Sequence, residues 1–198
     1  MRKITILIST ALILFMSVRA DALIFGIRYS DLSQATLPGI EDNSSRGRFG
    51  AYLGFREKNS LFLVGADYDR YKMERGDSLL YARRLVVNIG YRYHLLNLDK
   101  AEAMDFMPFV SFHLFKGFSK LSADSVFMPP ADVKYLKDIL NDSGGWLSLG
   151  AEYKFAPAFG FGGEAGIRYT RARSKAYGYE VKISQYSSFV ALIMTFYW

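Results

Sequence analysis

From residue 23 onward the chain repeats one pattern eight times: apolar residues at every second position, with glycine, polar or charged residues between them. A period of two puts neighbouring side chains on opposite faces of a strand. The segments run over about 23–30, 48–56, 61–70, 81–94, 107–117, 146–155, 160–170 and 184–198. One face of each is nearly free of charge. In the fourth segment it carries Leu85, Val87, Ile89, Tyr91 and Tyr93; in the last it carries Val190, Leu192, Met194, Phe196 and Trp198. Eight two-faced strands and no long helical pattern predict an all-β chain.

The other face decides what kind of all-β chain this is. In a soluble barrel the polar face meets water and the apolar face forms the core. Here the polar face is rich in glycine and in charges of both signs. It bears Arg28, Arg48, Arg56, Arg84, Arg92 and Arg168, with Asp67, Asp69, Glu152 and Glu164. Glycine makes room, and arginines and carboxylates satisfy one another, when that face points inward. The nearly uncharged band, about seven residues high in tilted strands of about eight to eleven, then fits a lipid-facing surface. Backbone groups in hydrocarbon must all pair internally, so the sheet must close. These arguments predict an eight-stranded antiparallel up-and-down transmembrane β-barrel, with short periplasmic turns and longer extracellular loops. Eight strands leave an interior just wide enough for side chains to fill, which favours a packed lumen charge network over an ion-conducting channel.

The connections alternate in length. Those after strands one, three, five and seven (about 31–47, 71–80, 118–145 and 171–183) are long, whereas 57–60 and 156–159 are tight; 95–105 is an exception at intermediate length. Within the longest, Val133, Leu136 and Leu140 recur at helical spacing after Pro129-Pro130-Ala131-Asp132, which predicts a short amphipathic helix outside the barrel. No stretch divides residues 23–198 into two domains.

Residues 1–22 read as a secretory signal peptide: Met1-Arg2-Lys3, an apolar run from Ile4 to Val18, and small residues around a cut after Ala22. Its removal turns the formal charge of +6 into 22 bases against 18 acids. No Lys/Arg-rich run or recognition-helix pattern accompanies that charge, so nucleic acid is not an expected partner. The absence of cysteine excludes a disulfide framework, thiolate-bound metal and a thiol nucleophile, and His94 and His113 are the only imidazoles. No cofactor or metal is expected.

The aromatic share, 16% of residues, has a place in this scheme. Tyr29, Tyr68, Tyr81, Phe118, Tyr169 and Tyr186 fall on the apolar face at the long-loop ends of strands. Phe55, Tyr91, Tyr93, Phe155, Phe161, Phe196 and Trp198 fall at the short-turn ends. Two girdles bracketing an aliphatic band mark two membrane–water interfaces.

With these features the sequence resembles the small eight-stranded outer-membrane proteins of Gram-negative bacteria, the OmpA-like/OmpX-like barrel group. The resemblance rests on the signal peptide, the strand parity, Gly144-Gly145-Trp146-Leu147-Ser148-Leu149-Gly150-Ala151-Glu152-Tyr153, Gly162-Gly163-Glu164-Ala165-Gly166-Ile167-Arg168-Tyr169, and the terminal Val190-x-Leu192-x-Met194-x-Phe196-x-Trp198. It implies a monomer in the outer membrane after signal-peptide cleavage, with lipid and lipopolysaccharide as surroundings. The last five named residues would be the signal read by the barrel-assembly machinery. An OmpA-type peptidoglycan-binding domain after Trp198 is not part of the expectation.

Some barrels of this group modify lipid A, so the resemblance also admits catalysis. A deacylase-like site needs His and Ser two apart, with His first and a lipid-facing position. Ser111-Phe112-His113 has the reverse order and falls on the inner face. A palmitoyltransferase-like site would use Asp77-Ser78 with a nearby His, and both His lie on strands instead. The expected role is therefore structural or interactive, through envelope integrity or surface contact. A small pore or transporter is the alternative, with a lipid A-modifying enzyme or a soluble lipocalin-like carrier behind it. One binding surface stands out. Extending the outward parity beyond the upper girdle reaches Arg70, Lys72, Arg83, Lys116, Arg171, Arg173 and Lys182, a candidate cationic collar for lipopolysaccharide phosphates.

Overall fold

The computed structural model describes residues 23–31, 47–75, 78–123, 130–176 and 178–198. Eight strands, β1 (Leu23–Asp31), β2 (Gly47–Glu57), β3 (Ser60–Arg75), β4 (Ser78–His94), β5 (Phe106–Ala123), β6 (Ser143–Ala156), β7 (Phe159–Ser174) and β8 (Val181–Tyr197), pair antiparallel in sequence order. β1 also pairs with β8, from Ile24 opposite Tyr197 to Asp31 opposite Val190, which closes the barrel. Among the described residues one α-helix, α1 (Pro130–Leu140), lies between β5 and β6. The proposed signal peptide lies outside the described residues.

The period-two pattern places side chains as the sequence implies. Leu53, Ile89, Leu114, Leu149, Ile167 and Val190 point out and are exposed, while Arg28, Asp67, Asn88, Arg92, Ser148 and Glu164 point in and are buried. This is an inverted arrangement for water and the right one for hydrocarbon. Aromatic pairs cluster at both ends of the outward face. Tyr29 meets Phe49 and Tyr169 meets Tyr186 near the loop end, with ring centroids 4.8 and 5.1 Å apart. Phe55, Phe62 and Tyr91 form a row at the turn end, at 4.8 and 5.2 Å.

Two expectations need correction. First, the strands reach further at the loop end than the apolar alternation does. β3 and β4 stay in register to Arg75 opposite Ser78, where a loop over 71–80 was expected; β5 continues to Ala123 and β8 begins at Val181. Past the apolar band both faces of a strand tolerate charge, so the alternation fades while the ladder continues. Second, the interior is not only glycine and charge. Tyr52, Phe109, Phe115, Trp146, Phe189 and Tyr197 are buried within it, so the aromatic excess is shared between girdles and lumen. Helix α1 packs on β5 and β7 at the loop end, burying Leu136, Ile139 and Leu140. Asn141 just after it accepts from the Ser119 backbone N–H (2.6 Å), and Ser174 donates to Asp138 (2.8 Å). The helix stands where the sequence placed it, between β5 and β6; Ser119 and Ser174 have the inward parity, so it is tied to the inner side of the loop end.

Candidate functional site

Two features carry chemistry: the buried interior and the cationic rim at the loop end.

The interior is layered. At the turn end, Ile24, Tyr52, Leu61, Leu63, Leu98, Met107 and Tyr197 make an apolar plug. Leu98 comes from a short 3₁₀ turn (Leu98–Lys100) in the β4–β5 connection, which folds under the barrel. Just above the plug sits Glu152. It accepts from the Tyr197 hydroxyl (2.6 Å) and from Thr195 (3.1 Å), and lies 3.7 Å from Arg92. Arg92 stacks over Phe109, its guanidinium carbon 4.2 Å from the ring centroid, an arrangement favourable for a desolvated cation.

In the middle layer Arg28 donates to both oxygens of Asp67 at 2.7 Å, and Asn88 donates to the same carboxylate at 3.2 Å. Opposite, the Ser111 and Ser148 hydroxyls lie 2.6 Å apart and 3.1 and 2.8 Å from the Glu164 carboxylate, so one serine donates to the other while the second donates to Glu164. His113 stacks on Trp146 at 4.4 Å. Ser111 and His113 are both buried, so the pair weighed as a hydrolase is part of the lumen packing and does not face lipid. Asp77, weighed for the acyltransferase alternative, lies outside the described residues.

Near the loop end Arg48 grips Asp69 through two bonds, and Arg84 bridges Asp69 (3.1 Å) and Asp142. Asp142 follows α1, so the end of the helix is tied to the interior by an ion pair. Arg168 stacks over Phe115 at 3.9 Å. The structure thus brings Arg28 together with Asp67 and Glu164, Arg48 and Arg84 together on Asp69 with Asp142, and Arg92 to Glu152. Arg56 stands apart: it is half-buried at the turn end of β2, at the rim rather than in the interior. Sequence reasoning missed Asp142 and Lys154. Asp142 lies in a stretch read as loop, and Lys154 lies on the inner face of β6 with its ammonium donating to the Ala101 carbonyl (3.1 Å).

Glycines open the space these groups occupy. A methyl group on Gly50 would overlap the Asp67 carboxylate, one on Gly160 the Glu152 carboxylate, and one on Gly90 the His113 ring. Each charged or aromatic side chain lies across a neighbouring strand at a position that has no Cβ.

The collar residues separate into two groups. Arg70 pairs in register with Arg83, and Arg83 with Lys120; all three are exposed. Lys120 was not among the expected collar residues, because it lies beyond the alternation that defined β5. Two positions towards the membrane band, Tyr68, Leu85 and Phe118 form an exposed apolar row on the same three strands. On the other side, Arg171, Arg173 and Lys182 lie on β7 and β8, and Glu180 approaches Arg173 (3.8 Å) and Lys182 (3.6 Å). Lys116 lies between the groups and donates to the Asn141 carbonyl at 2.6 Å. Lys72 pairs with Tyr81 in register; its side chain is outside the described residues. The terminal-strand residues Val190, Leu192, Met194 and Trp198 are exposed on the outer face of β8 or just beyond it. Phe196 packs against Phe159 (5.2 Å) and Phe25 (6.1 Å).

Among solved structures the chain is similar to the Neisserial surface protein A, with 10% identity over 89% of this chain and 96% of that one, at a TM-score of 0.52. It also matches the N-terminal β-barrel domain of Pseudomonas aeruginosa OprF (9% identity, 90% and 98% covered, TM-score 0.47) and the attachment invasion locus protein of Yersinia pestis (9%, 89% and 95%, 0.40). These similarities concern the fold, a small closed eight-stranded barrel. No family model matches the chain, and no characterised protein matches it by sequence.

Proposed function

We propose that this chain is an outer-membrane barrel with its loop end facing outward, and that it works by binding lipopolysaccharide rather than by catalysis or transport. The observation that carries the reading is the row Arg70, Arg83 and Lys120 above the row Tyr68, Leu85 and Phe118. Like charges placed directly opposite one another on neighbouring strands destabilise a sheet. No carboxylate among the described residues forms an ion pair with these three. A cationic row over an apolar row matches an amphiphile with phosphates above acyl chains. Arginine holds a phosphate bidentately and lysine holds it as a point charge. The β7–β8 group is the weaker candidate, because Glu180 already offsets it.

The test compares two triple variants. Arg70→Gln/Arg83→Gln/Lys120→Gln should lose most of the lipopolysaccharide that co-purifies with the wild type, while Arg171→Gln/Arg173→Gln/Lys182→Gln should retain it. Equal retention by both variants would overturn the assignment.

A second reading, surface adhesion, is favoured by one observation. The β3–β4 register runs to Arg75 opposite Ser78, and the sequence joining them is Gly76-Asp77. Arg-Gly-Asp is the tripeptide that integrin-type receptors bind. Cells carrying the protein should adhere to integrin-coated surfaces and lose that adhesion with Asp77→Glu; adhesion unchanged by the substitution would dismiss the reading.

A further inference from the structure

We propose that the loop end of the barrel interior holds a single monatomic anion, chloride in ordinary media, against Arg168. The argument begins with charge. Among the described residues six buried bases, Arg28, Arg48, Arg84, Arg92, Lys154 and Arg168, face five buried acids, Asp67, Asp69, Asp142, Glu152 and Glu164. An interior with one uncompensated cation is costly, and buried charges are normally paired. The excess has an address. Asp67 is occupied by Arg28, and Asp69 by Arg48 and Arg84. Arg168 makes no ion pair among the described residues, and its Nε and Nη2 are buried without a hydrogen-bond partner.

Geometry then supplies a site. A cavity of about 10 Å³ lies beside Arg168, lined also by Arg28, Arg48, Ser30 and Trp146. The indole Nε1 of Trp146 is likewise buried without a partner. Three arginines and the Trp146 indole line the space, together with Phe189. The carboxylate on its wall, Asp67, is already held by both its oxygens. The volume is about that of one water-sized particle, which excludes phosphate, sulfate and carboxylates. A water could occupy it, but water leaves the net charge in place and needs acceptors for its own hydrogens. A halide needs only donors, and the unpartnered groups here are donors.

Two measurements test this. Crystals of the full chain grown in sodium bromide should show an anomalous peak within hydrogen-bonding reach of Arg168 Nε or Nη2; no peak in the cavity would overturn the proposal. In detergent micelles, the urea unfolding midpoint is compared in sodium chloride and in sodium gluconate at equal ionic strength, gluconate being too large for the cavity. Replacing gluconate by chloride should raise the wild-type midpoint, as a ligand bound only by the folded state must, and this gain should vanish in Arg168→Met. An equal response in both proteins would also overturn it. Should Arg168→Met not fold, the bromide experiment on the wild type decides alone.

Discussion

Asp67 offers the most direct test of the layered interior. It receives two charge-assisted bonds from Arg28 and one from Asn88, all fully buried. Asp67→Asn keeps the shape but removes the charge, leaving Arg28 with Glu164 at 3.8 Å as its remaining acidic neighbour. Breaking a buried pair by removing one partner costs about 3–5 kcal/mol, because the surviving charge is stranded. The loss here should fall near the lower end, about 3 kcal/mol, since Glu164 compensates in part. The assay is equilibrium urea unfolding of the refolded barrel in micelles, read by tryptophan fluorescence and by heat-modifiable gel mobility. The double variant Arg28→Met/Asp67→Leu removes both charges together and should be less damaging than Asp67→Asn alone. Should Asp67→Asn cost under about 1 kcal/mol, typical of an exposed pair, the lumen is wet enough to solvate Arg28 and the packed-interior reading fails.

Other outcomes follow from the same geometry. Asp142→Asn should cost less than Asp67→Asn, about 1–3 kcal/mol, because Arg84 keeps Asp69; an equal loss in unfolding midpoint would contradict the layering. Gly90→Ala should displace the His113 ring and weaken its stacking on Trp146, costing about 1–3 kcal/mol as overpacking does and lowering the near-ultraviolet circular dichroism. Planar-bilayer recordings should show no steady single-channel conductance; stable openings would revive the pore alternative. Trp198→Ala removes a ring exposed by 64%, so it should lower assembly in cells while leaving the refolded protein's midpoint unchanged; a shifted midpoint would make its role structural instead.

Much of this architecture was legible in the chain, and the reason is physical. A barrel solvated by hydrocarbon needs an uncharged outer face on every strand, so the alternation records which way each residue points. That rule places Arg28, Asp67, Arg92, Glu152 and Glu164 inside without reference to their partners. It does not reveal partners. Arg28 meets Asp67 across 39 positions of sequence, and such pairings depend on the stagger between strands. The rule also fails where its cause ends. Above the apolar band nothing constrains the alternation, so Lys120 and the upper β3–β4 ladder were missed. Below that band Arg56 shares the inward parity yet sits at the rim. The parity puts Tyr52 and Phe109 inward as well, but the aromatic excess was assigned to the two girdles, so the inner share of it was under-read. Asp142, tied to Arg84 from beyond a helix, left no periodic signal at all.

The closing seam has a consequence for how the molecule comes into being. Every other strand pairs with its immediate neighbour in sequence, but Ile24 pairs with Tyr197. Local hairpins form early because their loops are short, whereas a contact spanning nearly the whole chain bears the largest loop-closure entropy and forms last. Until β8 arrives, a growing sheet keeps β1 as an open edge, with unpaired amides ready to capture a foreign strand. The pairing of β8 with β1 therefore ends that period of vulnerability.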